Sequence, residues 1–341
     1  MAKTDIKSMN EAELISYLAE LGQPKFRATQ LFGWLQSGAE DFDDMTNIPK
    51  PLRETLKENC YIANVTIAQR FESRIDGTVK YLYRLYDGEY IESVLMKYEH
   101  GYTVCISTQV GCRMGCSFCA STLHGLVRSL TASEMLEQIY AIIRHTKETV
   151  SHVVVMGMGE PLDNYDNVMR AIEILTADWG FGWSPKRITL STIGVIPNLK
   201  RYLDECKCHL AVSLHDPFGP ERLSVMPVQG AWPIQDVIDL IKQYDFSGQR
   251  RVSFEYTMFA GFNDTKAHAD ALIRMLKGLE CRMNLIRFHK IPDFPYETSP
   301  DVIIENFKTR LNNSGIMTTV RASRGEDILA ACGMLAGEHN K

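Results

Sequence analysis

The chain has 341 residues, enough for one large catalytic domain with a smaller appendage. Hydrophobic residues make up 45% and charged residues 23%, the balance of a globular protein in water, and no apolar run reaches membrane-spanning length. The formal net charge of -5 speaks against a generic nucleic-acid coat protein, but leaves room for a local basic patch.

The first residues, Met-Ala-Lys-Thr-Asp-Ile-Lys, hold no apolar signal core, so a cytoplasmic protein is expected. Nine cysteines in a chain of this length do not make a disulfide scaffold. In a reducing compartment they are ligands, catalysts or buried hydrophobes.

Residues 1–60 read as a helical domain. Asn10 is a helix cap ahead of Glu11-Ala12-Glu13-Leu14. A second helix carries Leu31, Trp34 and Leu35 at helical spacing, which marks a core face. Lys25, Arg27, Lys50, Arg53 and Lys57 add positive charge, either as a solvated face or as an RNA contact. Residues 61–103 change period. Asp76-Gly77 and Asp87-Gly88 mark two hairpin turns between alternating runs, so a small strand linker is expected here.

From residue 104 onward strands and helices alternate. Val104–Gln109 reads as a strand. After it comes Gly111-Cys112-Arg113-Met114-Gly115-Cys116-Ser117-Phe118-Cys119, three cysteines spaced C-x3-C-x2-C. Three thiolates can hold three irons of a four-iron cluster and leave one iron open. Zinc is the rival, and it needs a fourth ligand. The other close pair, Cys206 and Cys208, is a C-x-C and too tight for a usual zinc knuckle.

Helices are predicted over 133–147 with Thr131 as cap, and over 164–175, 237–244, 267–276 and 302–312. Strands are predicted over 152–156, 187–190, 209–214, 252–258 and 284–288. Six β/α units in a row imply a parallel sheet, open or curled into a partial barrel, with a catalytic domain over 104–341. In such folds the site gathers at the C-terminal strand ends. Gly157-Met158-Gly159-Glu160-Pro161 lies at one of these ends and alone reads as a tight turn.

A three-cysteine loop with an aromatic before its last cysteine resembles the radical S-adenosylmethionine superfamily. The match narrows with Glu92 in Ile91-Glu92-Ser93-Val94, Cys105-Ile106-Ser107-Thr108-Gln109, Ser191-Thr192-Ile193-Gly194, Ser213-Leu214-His215, Asn284-Leu285-Ile286 and Arg321–Gly333. In that order they resemble the RlmN family of dual-specificity RNA methyltransferases, over nearly the whole chain.

The resemblance implies a partial (β/α)6 barrel of the radical type. It implies methylation of adenosine carbon 2 in 23S rRNA and in tRNA, with a 4Fe-4S cluster and two molecules of S-adenosylmethionine per turnover. It makes Cys112, Cys116 and Cys119 the cluster ligands. Gly159, Glu160, Ser191, Ser213, Leu214, His215 and Asn284 become the S-adenosylmethionine site. Cys332 becomes the methyl carrier, Cys105 the resolving thiol and Glu92 the base. Cys60, Cys206, Cys208 and Cys281 match no family role. An electron donor such as flavodoxin or ferredoxin is implied, and a monomer.

Ser191-Thr192-Ile193-Gly194 and Asn284-Leu285-Ile286-Arg287 also resemble the sister family Cfr, which methylates carbon 8 of the same ribosomal adenosine. Ala120-Ser121-Thr122 and Arg287-Phe288-His289-Lys290 depart from the commoner RlmN text, while Val110 and Arg321-Ala322-Ser323-Arg324-Gly325 follow it. Carbon 2 is therefore expected, with carbon 8 the alternative. A non-enzymatic RNA-binding protein with a structural metal is the rival of another class.

Overall fold

The computed structural model describes residues 3–248, 250–291 and 294–336. Three helices open the chain: Glu11–Glu20, Phe26–Gln36 and Lys50–Asn59. Asn10 caps the first as the sequence predicts. Its side chain accepts from the Glu13 amide, and the Glu13 carboxylate accepts from the Asn10 amide, both at 2.9 Å. Leu14, Leu18, Leu31, Leu35, Leu52 and Leu56 are buried at helical spacing. Lys7 anchors these helices to the rest of the chain. Its ammonium is wholly buried and ion-paired with Glu137 of the helix Ala132–Thr146.

Among the described residues, ten strands form the main sheet. From one edge to the other they run Met317–Val320, Arg282–Arg287, Val252–Met258, His209–Ser213, Ile188–Thr192, Val150–Val155, Gly101–Cys105, Tyr90–Tyr98, Val79–Arg84 and Thr66–Glu72. The strands from Gly101–Cys105 to Met317–Val320 pair in parallel. Helices connect them, so the strands' C-terminal ends all open on one side. The sheet stays open, with Met317–Val320 at one edge and Thr66–Glu72 at the other.

Four expectations change. The hairpins over 61–103 do form, but they are no separate linker. Tyr90–Tyr98 pairs antiparallel with Gly101–Cys105 and extends the main sheet. The strand expected over 104–109 stops at Cys105, because the next residues bond to the glycine-rich turn instead: the Thr108 amide reaches the Met158 carbonyl at 2.8 Å. A further parallel strand, Met317–Val320, follows the sixth β/α unit. The helices Ile196–Glu205 and Gly219–Val225 were not predicted. Each has a proline in its first turn, where the missing N–H costs nothing. Among the described residues no helix is long and apolar enough to cross a membrane.

Candidate active site

The cysteine loop is the tip of a small hairpin. Gln109–Gly111 pairs antiparallel with Leu126–Ser129. Gly111 has φ 73°, and a Cβ there would sit 1.9 Å from the Gly125 carbonyl oxygen, so only glycine closes the hairpin. The Cys112 amide then donates to the same Gly125 oxygen at 2.9 Å. Thr122 Oγ1 donates to the Cys116 and Cys119 carbonyls at 3.0 and 2.8 Å, which folds the loop back on itself. The Ser117 amide donates to Val225 on the short helix Gly219–Val225, at 3.0 Å.

Cys112, Cys116 and Cys119 face one cleft of about 940 Å³, open solvent included. That is room for a nucleoside-sized ligand beside the thiols. Burial pushes the Cys112 thiol up to about 12 and raises the other two as well. The charges of Cys119 and Cys112 act on Cys116 in the same sense. Thiols whose ionisation is opposed by burial, and for Cys112 and Cys116 by a neighbouring thiolate, are suited to a bound cation, which reverses both effects. Three cysteines lining one cleft fit iron–sulfur ligation.

The glycine-rich turn packs against the residues just before the cysteines. A Cβ on Gly157 would lie 2.7 Å from the Ile106 carbonyl oxygen. One on Gly159 (φ 97°) would lie 2.6 Å from Gln109 Cβ. Both glycines thus serve a close approach of the chain to itself. The Glu160 carboxylate is buried and turned into the fold. It accepts from Leu162 N at 3.0 Å, Thr192 Oγ1 at 2.6 Å and Ile193 N at 3.0 Å. Burial raises it to about 7. Its bonds fix the Ser191–Gly194 turn beside the glycine-rich turn.

Gly159, Glu160, Ser191, Ser213 and His215 all line this cleft. His215 Nδ1 accepts from the Thr257 amide at 2.9 Å, and burial lowers the imidazole to about 3, so it stays neutral. Phe118, the aromatic before the last cysteine, packs edge-on against His215 at 4.9 Å between ring centres. Leu214 and Asn284 are not in the lining. Leu214 is fully buried, and Asn284 acts one step back. Asn284 Nδ2 donates to Glu255 Oε1 at 2.8 Å, and Thr319 Oγ1 donates to Asn284 Oδ1 at 2.9 Å.

Glu255 does line the cleft, and the sequence reading passed over it. The signal was a carboxylate inside an otherwise uncharged strand, Val252–Met258. Arg321 opens the Arg321–Gly333 stretch that carries the resemblance, which assigns it no role. It lines this cleft and a second cavity, and its Nη1 donates to Glu255 Oε2 at 3.3 Å.

The second cavity adjoins the first. Cys105 and Cys332 both line it, and Cys332 lines the cleft as well. Cys105 is buried and Cys332 exposed, and both thiols are free. Burial, with the charge of Cys332 next to it, pushes Cys105 up to about 12. The Cys332 loop is tied to the cysteine loop. The Ala120 amide donates to the Gly333 carbonyl, and Ser121 Oγ to the Leu335 carbonyl, both at 2.7 Å.

Glu92 lies outside the lining of both cavities. Its carboxylate pairs with Lys80 at 2.8 Å and accepts from the Ala336 amide at 2.8 Å, so it holds the end of the Cys332 loop. Lys80 also donates to the Leu329 carbonyl at 3.2 Å. Of the basic residues near the N-terminus, Arg27 bonds to Gln30 and to the Asn47 carbonyl, and Arg53 and Lys57 bond to Asp43.

Residues 4–62 match the family model described as ribosomal RNA large subunit methyltransferase N-terminal domain, and residues 106–273 match that of the radical SAM superfamily. A protein of Parabacteroides distasonis named "Probable dual-specificity RNA methyltransferase RlmN" is 48% identical over 99% of this chain and 98% of its own length. One of the same name from Bacteroides fragilis is 47% identical over 98% of this chain and 97% of its own. The crystal structure of a radical SAM methyltransferase from Sphaerobacter thermophilus superposes with a TM-score of 0.92 at 41% identity. It covers 98% of this chain and 100% of that one.

Proposed function

The chain belongs to the RlmN family of radical S-adenosylmethionine RNA methyltransferases, and on that premise we propose that it methylates carbon 2 of adenosine in 23S rRNA and in tRNA. The observation that carries this reading is one cavity shared by two thiols. Cys105 and Cys332 line it together, and Cys332 also reaches the cleft of the three cysteines.

The family implies a 4Fe-4S cluster and S-adenosylmethionine. Cys112, Cys116 and Cys119 would hold the cluster. Gly159, Ser191, Ser213, His215 and Glu255 would hold S-adenosylmethionine, with Glu160 and Asn284 positioning them. Bound together, these groups supply a transferable methyl group and one-electron chemistry, at two molecules of S-adenosylmethionine per turnover. Such chemistry is needed because carbon 2 of adenine lies between two ring nitrogens and is no nucleophile.

The remaining work falls to this chain's own residues. Cys332 takes up the methyl group and carries it to adenine, and its place on a loop between the two cavities suits both tasks. Glu92 removes the ring proton. For that its carboxylate must exchange the Ala336 amide for the base, a shift of the C-terminal loop. Cys105 then attacks the Cys332 sulfur of the thioether to the RNA. A Cys105–Cys332 disulfide forms with loss of the Cys105 thiol proton, the carbon–sulfur bond breaks with its electron pair going to carbon, that carbon takes up a proton to become the methyl group, and the methylated base leaves. A cytosolic thiol reduces the disulfide.

RNA is held by local positive charge, Lys25 and Arg27 of the N-terminal helices among it, since the net charge is -5. The enzyme works as a cytoplasmic monomer and takes electrons from a flavodoxin or ferredoxin. The test is the methyl position on adenosine from RNA treated with the enzyme, mapped by mass spectrometry of nucleosides. Carbon 2 in rRNA and tRNA fragments is expected. Carbon 8, or no modification, overturns the reading.

A further inference from the structure

Behind the cleft, the turn after the strand His209–Ser213 gathers three donors that the methylation chemistry does not use. An oxygen of Asp216, an oxygen of Glu221 and a ring nitrogen of His268 lie within 4.8 Å of one another. Glu221 sits on the helix Gly219–Val225, and His268 on the helix Lys266–Met275. His268 Nε2 is 2.8 Å from Glu221 Oε2 and 3.7 Å from Asp216 Oδ2.

The Asp216 side chain is wholly buried, and its Oδ2 has no hydrogen-bond partner although it faces the imidazole. The other oxygen accepts from the Phe218 amide at 2.7 Å. The neighbouring Arg222 does not bond to it. Its guanidinium donates to the Leu214, Ser213 and Ile193 carbonyls and to Gln229 Oε1. A proton on His268 Nε2 satisfies one carboxylate only, and Glu221 is the nearer. A buried carboxylate oxygen left without a partner is costly.

A bound dication removes that cost. It neutralises two carboxylates and takes the imidazole lone pair. Donor atoms 2.8 and 3.7 Å apart suit a shell of ligands at roughly 2.0–2.2 Å from one ion. The far nitrogen, His268 Nδ1, lies 2.7 Å from Thr265 Oγ1. A donor bond there leaves Nε2 bare for an ion, the usual outer support of a ligating histidine. One imidazole with two carboxylates suits zinc and its first-row neighbours better than magnesium or calcium, which prefer oxygen alone.

We propose that Asp216, Glu221 and His268 bind a zinc-class divalent ion, at a site separate from the three-cysteine loop. The ion ties the turn behind the cleft to the helix Lys266–Met275. Asp216 directly follows His215, which lines the cleft at φ 55°, a strained angle for a residue with a Cβ. The helix that carries Glu221 also holds the cysteine loop, through Val225 and Ser117. One ion thus braces both the histidine and the loop from behind.

The test uses the full chain with its cluster reconstituted anaerobically, so that the three cysteines are occupied. The protein is equilibrated with Zn2+ and gel-filtered, and zinc and iron are measured by mass spectrometry. The wild type is expected to keep one zinc per chain. Asp216→Asn and His268→Gln should lose it and keep their iron, which also shows that they are folded. Thr265→Ala should bind zinc about 10- to 100-fold more weakly. Zinc-edge X-ray absorption should show nitrogen and oxygen neighbours only. No retained zinc in the wild type, equal zinc in Asp216→Asn, or sulfur in the zinc shell would overturn the proposal. None of these readouts depends on RNA methylation, so the site stands or falls apart from the proposed reaction.

Discussion

The Ala120 amide donates to the Gly333 carbonyl at 2.7 Å, and that bond joins the residue after Cys119 to the residue after Cys332. The loop that would hold the cluster and the loop that would carry the methyl group are thus neighbours in the folded chain, though more than two hundred residues separate them in sequence. Ser121 adds a second tie, to the Leu335 carbonyl at 2.7 Å.

Ser121→Ala removes that second tie and leaves the cysteines in place. A single neutral hydrogen bond contributes about 0.5–1.5 kcal/mol net, so amides over 330–336 should exchange about 2- to 10-fold faster. Iron content should not change, and methylation should slow. Unaltered exchange in this segment would show that the Ser121 bond does not hold the loop.

Glu92 has two duties in this account, and a double variant separates them. Its carboxylate and the Lys80 ammonium form a buried pair at 2.8 Å. Glu92→Gln strands the cation and should destabilise the fold by about 3–5 kcal/mol. Glu92→Gln with Lys80→Met removes both charges and should recover most of that stability. Methylation should stay lost in the double variant. If it returns with stability, Glu92 is a structural partner of Lys80 and another group takes the proton.

Glu255→Gln tests the carboxylate in the strand Val252–Met258. Hydrogen bonds to a charged group contribute about 1.5–3 kcal/mol, so S-adenosylmethionine should bind about 10- to 100-fold more weakly, measured anaerobically. Iron should be retained. Asn284→Ala should give a smaller loss in the same direction, because Asn284 reaches the cleft only through Glu255. Equal affinity in Glu255→Gln and wild type would remove Glu255 from the site.

Changing Cys112, Cys116 or Cys119 to Ala should abolish iron binding and S-adenosylmethionine cleavage. Cys206→Ala should leave both intact, as that thiol lies outside the two cavities. Full activity in any of the first three would end the ligand assignment.

Local signals carried far in this chain. The Asn10 and Thr131 caps, the two hairpin turns and the strand Val252–Met258 were all legible, because each depends on a few adjacent residues. The misses are contacts at long range. Nothing near Glu92 in sequence announces Lys80 or Ala336 as its partners. The two glycines of the 157–161 turn read as a tight turn, but nothing near them in sequence announces the chain itself at Ile106 and Gln109 as the neighbour they approach. Glu255 was hidden by its strand, whose apolar neighbours read as core.

The central claim is that Cys332 carries the methyl carbon to RNA and Cys105 sets the product free. The most direct measurement is mass spectrometry of Cys105→Ala after reaction with RNA, denaturing purification and nuclease digestion. The account predicts that this variant still takes up the methyl group and still adds to adenine, then stalls. The peptide that contains Cys332 should carry a nucleotide joined through one carbon, and Cys332→Ala should carry none. Normal turnover by Cys105→Ala, with no adduct on that peptide, would contradict the two-thiol mechanism and make Cys105 a residue of the core.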